Sequence, residues 1–457
     1  MRLALIFWGG FYFILGPLSL PHDGDLYWQR WLGQIVVQTR QLPTALGRET
    51  FTAAGAPWVP QEWFFSVIVA IATNFHLFLL LALVMSAVPV AVLLLVYLRA
   101  REEAASTAIG IAVIFCGMTL TESFGVRAQV VGYGFFALFV FLLERKDRWY
   151  WATIPIAIAW ANVHASVAIA PFVLGARLVA ALSEGGVQHL RGNRDLALLP
   201  ALLVATVCTP LGLRLPLYAI SLVGSPIRHY IIEWQPPGLL DFSFLFGVLP
   251  LAIAIVAGGR ATLLDRRQQS FPAALLLVAS LFAIRNMPLF AIAAAPLSAF
   301  ALSRLKRPLT RLNQSLQSLE LVATLAIVAM LILTAGFQLK RQWREPPLLP
   351  VAAVHALGAD GTNHRILCED FAWCSVALGN PRLRVFIDGR CDPYPLQVWQ
   401  AYAAAIAGGR SALSSLADYG TDTVIAHLGS ALAARLGSAP SWKVAYTDGT
   451  FIVFHRE

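Results

Sequence analysis

Asp23-Gly24-Asp25 is the stretch of this chain whose residue types and spacing most readily suggest chemistry. Two carboxylates two residues apart diverge on a helix, but around a glycine in a loop they can converge on a cation or a hydroxyl proton. That suits a general base, helped by a divalent cation such as Mg or Mn held between Asp23 and Asp25. The plainer alternative is a solvated turn. Trp160-Ala161-Asn162-Val163-His164 places two polar side chains inside an apolar stretch, where polar groups without partners are costly. His164 could bind a phosphate or orient an acceptor with Asn162 donating; otherwise the two make a helix–helix hydrogen bond. Arg127, Arg285 and Asn286 form a third group. Arg285 interrupts two apolar runs with no carboxylate nearby in sequence, so its guanidinium calls for an anion such as a lipid-linked phosphate, or else it snorkels to headgroups.

Lesser candidates are Glu62 and Glu233, each followed by a tryptophan, and Glu122, near the outer end of an apolar run. A carboxylate beside an interfacial tryptophan suits an acceptor or sugar site, or simply anchors the surface, the reading preferred for Glu62. In the tail, Asp388-Gly389-Arg390 ends a strand-like run, a place where α/β folds form sites. An Asp–Arg ion pair closing a turn explains it equally well. There is no Gly-rich phosphate loop, no paired CxxC, no HExxH and no Gly-x-Ser-x-Gly elbow.

The elements that must position these residues are mostly membrane spans. Of 457 residues 58% are hydrophobic and 13% charged, and the mean hydropathy is +0.67. Soluble domains carry roughly 25% charged residues, so lipid has to solvate most of this surface. The expected fold class is an α-helical polytopic membrane protein with a small C-terminal α/β domain. Spans are expected near 3–20, 76–98, 105–123, 128–143, 150–163, 164–182, 195–212, 240–258, 271–285, 288–302 and 318–337, about eleven in all. The run after Met1-Arg2 lacks a small-residue cleavage site before Pro21, which predicts a retained signal anchor.

The net charge of +9 is spread over short clusters between apolar runs, which argues against a nucleic-acid partner. Arg99 and Arg101; Arg145, Lys146 and Arg148; Arg191 and Arg194; Arg260, Arg266 and Arg267; and Arg304, Lys306, Arg307 and Arg311 all fall on Arg2's side under this span count. That side is cytoplasmic. The opposite, periplasmic side receives the loop 21–75 with its aromatic, interfacial helical stripe (Tyr27, Trp28, Trp31, Leu32, Ile35, Val36), the loop 213–239 and the tail. The predicted organisation is a membrane domain over 1–338 and a periplasmic α/β domain over 339–457, in a bacterial inner membrane. Strands are predicted at 365–367, 384–387, 423–426, 442–446 and 451–454, alternating with helices at 396–406 and 430–436. Cys368, Cys374 and Cys391 fall in that exported tail, where a disulfide is compatible with the redox environment and the pairing is open.

This layout resembles the GT-C superfamily of membrane glycosyltransferases, which take sugars from polyprenyl-phosphate carriers. More closely, several short motifs look like a widespread group of bacterial multispan proteins: Trp28 and Gly33, the run Phe51-Thr52-Ala53-Ala54-Gly55-Ala56-Pro57-Trp58-Val59 with Glu62-Trp63, Trp160-Ala161-Asn162-Val163-His164, Glu233-Trp234, Arg285-Asn286-Met287-Pro288 and Val385-Phe386-Ile387-Asp388-Gly389-Arg390. The resemblance covers nearly the whole chain. It implies a sugar transferred from a polyprenyl-phosphate donor to a glycan, lipid or protein acceptor outside the cytoplasm. Asp23 or Asp25 would be base or metal ligand, Arg285 with His164 or Arg127 would hold the donor phosphate, and Asn162, Glu62, Glu233, Asp388 and Arg390 would serve the acceptor side or support the site. The segment 365–390 is distantly similar to the exported domain of oligosaccharyltransferase catalytic subunits. Their Trp-Trp-Asp-Tyr-Gly signature is replaced here by Phe371-Ala372-Trp373-Cys374-Ser375, and the paired Asp-Glu of protein mannosyltransferases by Asp23-Gly24-Asp25. Neither acceptor class therefore carries over. The alternative is a lipid or glycan transporter or binding protein without covalent chemistry, which would also use intramembrane Arg and His.

Overall fold

The computed structural model describes residues 1–19, 23–145, 147–304 and 349–457, and within 305–348 only residues 325, 326, 329 and 333. In chain order its main helices begin with α1 (Arg2–Ser19), α2 (Asp25–Thr39), α3 (Trp63–Asn74), α4 (Phe78–Ala100), α5 (Ser106–Leu120) and α6 (Ala128–Leu143). They continue with α7 (Thr153–Val163), α8 (Ile169–Gly185), α9 (Arg194–Val207), α10 (Arg214–Ser221), α11 (Leu249–Ala257), α12 (Arg267–Phe282) and α13 (Met287–Ser303). The tail adds α14 (Val351–Ala359), α15 (Leu396–Ile406), α16 (Arg410–Asp418) and α17 (Ala431–Gly437), with strands β1 (His364–Cys368), β2 (Leu383–Val385), β3 (Thr423–His427), β4 (Trp442–Thr447) and β5 (Phe451–Arg456). The chain divides into two compact units: Met1–Leu18, Leu79–Val223 and Ile232–Gln342 form one, and Ser19–Phe78, Gly224–Ile231 and Trp343–Glu457 the other.

The first unit is helical. A helix occupies each expected span position from 3–20 to 288–302. By length and composition, 3 helices among the described residues are long and apolar enough to cross a membrane: Phe78–Ala100, Ala165–Leu190 and Ile284–Ser303. The last expected span, 318–337, lies outside the described residues apart from isolated positions. At the centre of the unit is α13, apolar all round and packed by α5, α11 and α12. Its alanines at 291, 293, 294, 295, 299 and 301 are buried and let neighbouring backbones approach, the usual solution where lipid supplies no hydrophobic drive between helices. Glycine does the same for α1 on α5: the Tyr12 hydroxyl donates to the Gly117 carbonyl at 3.0 Å, and a Cβ on Gly117 would fall 2.1 Å from the Trp8 ring. The predicted break in the apolar run 150–182 is real: α7 stops at Val163, His164 is extended, and a 3-10 turn (Ala165–Ala168) leads into α8.

The second unit is the α/β part. Its sheet runs β2-β1-β3-β5-β4. The pairs β1–β2 and β1–β3 are parallel, and β3–β5 and β4–β5 antiparallel. Strands β1 and β3 are almost wholly buried, as expected of a sheet centre, whereas β4, at the edge, is mostly exposed after its first residue. The segment around Thr50 extends the sheet beyond β2: Val385 N–H donates to the Glu49 carbonyl at 2.8 Å, and Phe51 N–H to the Val385 carbonyl at 3.3 Å. Helices α2 and α3 pack closely enough that a Cβ on Gly33 would overlap the Ser66 carbonyl, at 1.9 Å. Trp28 and Leu32 of the aromatic stripe are thereby buried in protein.

Candidate functional site

Two groups of residues carry chemical interest, one in each unit. In the helical unit Arg285 sits in a 3-10 turn, Ile284–Asn286, between α12 and α13. Its Nη2 donates to Gln129 Oε1 at 3.3 Å and faces His164 Nε2 at 3.4 Å. The guanidinium carbon lies 5.6 Å from the centre of the Trp234 ring. The Arg285 carbonyl accepts from the Tyr133 hydroxyl at 2.9 Å, which fixes the turn against α6. Every one of these partners is neutral. Other arginines of the unit hold carboxylates: Arg99 grips Glu144 with two nitrogens at 2.8 and 2.7 Å, Arg177 pairs with Asp195 at 2.8 Å, and Arg127 pairs with Glu233.

The tautomer of His164 follows from its neighbours. Its Nδ1 accepts the Ser166 backbone N–H at 3.0 Å and meets Ser166 Oγ at 2.8 Å, while that Oγ accepts from Trp160 Nε1 at 2.9 Å. Nδ1 is thus an acceptor, and the proton of the neutral ring belongs on Nε2. Two donors, His164 Nε2–H and Arg285 Nη2–H, then face each other. They do not bond to one another, and an oxygen anion placed beside Arg285 would accept from its guanidinium.

Asn162 does something different. Its amide donates to the Ile158 carbonyl at 2.8 Å and the Cys208 carbonyl at 2.9 Å, tying α7 to the end of α9. Glu122 accepts from Ser243 Oγ at 2.7 Å.

In the other unit, Asp23 and Asp25 stand at the start of α2. Asp23 is buried and its Oδ1 accepts the Asp25 backbone N–H at 3.1 Å. Asp25 is the first helical residue, and its Oδ1 accepts Trp28 Nε1–H at 3.1 Å. A carboxylate at a helix N-terminus is favoured by the helix dipole. Glu62 is held by Gln29 at 2.8 Å. Asp388 and Arg390 are buried: Arg390 Nε and Nη2 donate to the two Asp388 oxygens at 2.9 and 2.6 Å, and Nη1 donates to Glu49 at 2.8 Å. The Tyr394 hydroxyl donates to Asp388 at 2.7 Å. The Arg390 guanidinium carbon lies 4.9 Å from the Trp31 ring centre and 5.0 Å from that of Trp58. Burial, with Asp388 beside it, holds the Tyr394 phenol well above its usual range. For Arg390, burial works against the charge, but Asp388, Tyr394 and Glu49 outweigh it and push the pKa up. This is a closed ionic core that supports the turn.

Metal ligation has two candidate places. Asp23 and Asp25 offer hard oxygens suited to Mg or Mn, within one turn of chain. Asp360, His364 and His455 bring one ligand atom each within 4.8 Å of one another. Their geometry does not suit a shared ion, because the two imidazoles stack at 4.7 Å with planes only 11° apart. In-plane lone pairs of near-parallel rings do not converge at the distances metals require. His364 Nε2 is instead taken by Asp360 at 2.8 Å and Thr362 at 2.7 Å. The disulfide question is answered: Cys368 pairs with Cys374 and Cys391 stays outside the bridge.

Sequence reasoning did not single out Gln129, Tyr133, Glu49, Ser375 or Tyr394. Gln129 was detectable as an amide just inside an apolar helix two residues after Arg127. Glu49 carried no such signal, since its partner lies 341 residues away.

No protein-family model and no curated protein matches the chain. Solved structures do, and those similar to it have the GT-C glycosyltransferase fold. The archaeal oligosaccharyltransferase AglB from Archaeoglobus fulgidus, in complex with an inhibitory peptide and a dolichol-phosphate, is similar over 98% of this chain and 73% of its own, with a TM-score of 0.56 at 13% identity. The Archaeoglobus fulgidus oligosaccharyltransferase in complex with Zn and sulfate is similar over 93% of this chain and 68% of its own, with a TM-score of 0.52 at 14% identity. ArnT from Cupriavidus metallidurans bound to undecaprenyl phosphate is similar over 99% and 96%, with a TM-score of 0.53 at 14% identity. The likeness is one of fold.

Proposed function

We propose that this chain is a membrane glycosyltransferase that moves a sugar from a polyprenyl-phosphate donor to an acceptor hydroxyl on the non-cytoplasmic side. The observation that carries the reading is the half-buried Arg285 guanidinium, set among the neutral groups of Gln129, His164 and Trp234, a cationic position suited to a phosphate oxygen. The fold shared with proteins solved with dolichol-phosphate and undecaprenyl phosphate supports the same donor class. In the reaction the bond from the anomeric carbon to the phosphate oxygen breaks and a bond to the acceptor oxygen forms. The acceptor's proton goes to Asp23 or Asp25, and the departing phosphate takes the bonding electron pair and a second negative charge, which Arg285 offsets. A divalent cation on Asp23 and Asp25 would supply Lewis acidity toward the acceptor hydroxyl. Arg127, paired with Glu233, would help Arg285 hold the donor phosphate, and Glu62, Asn162, Glu233, Asp388 and Arg390 are assigned acceptor or supporting roles. About eleven spans, a cytoplasmic N-terminus and an exported tail from residue 339, in a bacterial inner membrane, complete the proposal.

The test uses the purified full chain in lipid nanodiscs with a panel of radiolabelled undecaprenyl-phosphate sugars and a cell-envelope extract as acceptor. Turnover that is lost in Asp23→Asn/Asp25→Asn, with donor KM raised roughly tenfold or more in Arg285→Ala, supports the reading. Retained transfer in the double Asn variant sinks the base assignment. Saturable donor binding without product points to the transporter or lipid-binding alternative.

A further inference from the structure

The Asp25 carboxylate is boxed by backbone rather than left on a loop. A Cβ on Gly389 would lie 2.9 Å from Asp25 Oδ1, 2.9 Å from Ser375 Oγ and 3.1 Å from Trp28 Cδ1. The Gly389 N–H donates to that same Ser375 Oγ at 3.0 Å, so the glycine backbone is pinned where it stands. On the other flank a Cβ on Gly24 would lie 2.7 Å from the Ala372 carbonyl oxygen. Ala372 is itself fixed, because its N–H donates to the Asp370 carboxylate at 2.9 Å at the head of the turn Phe371–Ala377. Gly389 does not adopt a left-handed backbone. Glycine is therefore needed at 389 for space, and an alanine there would carry no backbone penalty of its own.

The adjoining ionic core explains why the turn cannot give way. Asp388 and Arg390, on either side of Gly389, are locked to each other and to Glu49 with no exposed side-chain surface on either. A methyl group at 389 would push on Asp25, Ser375 Oγ and Trp28 rather than move the turn, which the Asp388–Arg390 core holds. We propose that Gly389 is a positioning residue: its bare backbone, held by Ser375 and the Asp388–Arg390 core, sets where the Asp25 carboxylate lies and keeps it on the Trp28 indole N–H. The proposal deepens the glycosyltransferase reading and rests on it only for Asp25's role in transfer.

The experiment measures carbodiimide-driven labelling of Asp25 with glycine ethyl ester on the full chain at fixed pH, resolved from Asp23 by tandem mass spectrometry. Gly389→Ala displaces the carboxylate from its indole donor, and Trp28→Phe removes the donor without adding volume. Both are expected to raise the Asp25 labelling rate roughly threefold to tenfold, the range for loss of a typical intramolecular hydrogen bond. Gly437→Ala, where a Cβ meets nothing within 4 Å, serves as the control and leaves the rate unchanged. In the transfer assay Gly389→Ala lowers kcat and leaves the donor KM near wild type. Wild-type labelling rates in Gly389→Ala and Trp28→Phe overturn the proposal, and Trp28→Phe alone decides should the alanine variant fail to fold. Faster labelling with unchanged kcat keeps the positioning role and removes Asp25 from the reaction. Absence of transfer in the wild type strikes the function while the labelling comparison still decides the position.

Discussion

Replacing Arg390 by methionine removes a guanidinium that holds Asp388 through two nitrogens and Glu49 through a third, at 2.9, 2.6 and 2.8 Å. The Asp388 side chain is 0% exposed and that of Glu49 15%, so water does not replace the lost partner. Breaking a buried ion pair from one side costs roughly 3–5 kcal/mol, because the other charge stays behind in a poorly solvating place. Methionine keeps much of the side chain's volume, which leaves electrostatics as the main loss. In a unit of this size each kcal/mol moves the melting point by roughly 2–4 °C, so the apparent Tm should fall by roughly 6–20 °C. The assay is scanning fluorimetry of the full chain in detergent at one scan rate, following intrinsic tryptophan emission. Arg390→Lys keeps the charge without the fork and should fall between. Asp388→Leu/Arg390→Met removes both charges and should recover part of the loss, since an apolar pair of similar size often replaces a buried ion pair at little cost. A single Met variant within about 2 °C of wild type, or a double variant less stable than the single, refutes the reasoning.

The His455 imidazole is held below its ordinary value of 6.5, first by burial and then by the charge of His364. A lowered folded pKa means that the folded state binds fewer protons, so this stabilisation is present above pH 6.5 and is lost as pH falls below it. Apparent Tm should therefore drop through that window, and His455→Asn should flatten the drop. Asp360, held down to about 2 chiefly by the Thr362 backbone N–H, keeps its charge throughout it. Alkylation without reduction should leave Cys368 and Cys374 unmodified, and Cys368→Ala/Cys374→Ala should cost roughly 2 kcal/mol, as closure of so short a loop predicts, read as a fall in Tm. A reporter fused after Glu457 should be active when it requires export and dark when it requires the cytosol; the reverse overturns the proposed orientation.

Much of this was legible in the sequence. Among the described residues helices lie where the apolar runs predicted them, and the tail's strands match within a residue or two, because burial on one face or on all faces leaves a periodic trace. The break at His164 was readable since polar residues in an apolar run demand partners. What the sequence hid is pairing at a distance. Glu49 looks like any loop acid until Arg390 is beside it, and Asn162 looked as available to a substrate as His164 until its donors were found on the carbonyls of Ile158 and Cys208. Gly389 reads as an ordinary turn glycine; its closeness to Asp25 depends on a fold that joins two ends of the chain.

That joining sets a schedule for biosynthesis. Glu49 and Arg390 are 341 residues apart, and Thr52 meets the Phe386 carbonyl across 334. At translation rates of roughly 5–20 residues per second, the segment around Glu49 emerges roughly 20–70 seconds before the ribosome has made its partners. During that interval the backbone edge at Glu49–Phe51 lacks the Val385 strand it will bond to, and the carboxylate destined for the ionic core has no arginine. The nascent chain thus passes that whole interval with an unfinished sheet edge, and the segment from Val385 to Arg390 is what closes it.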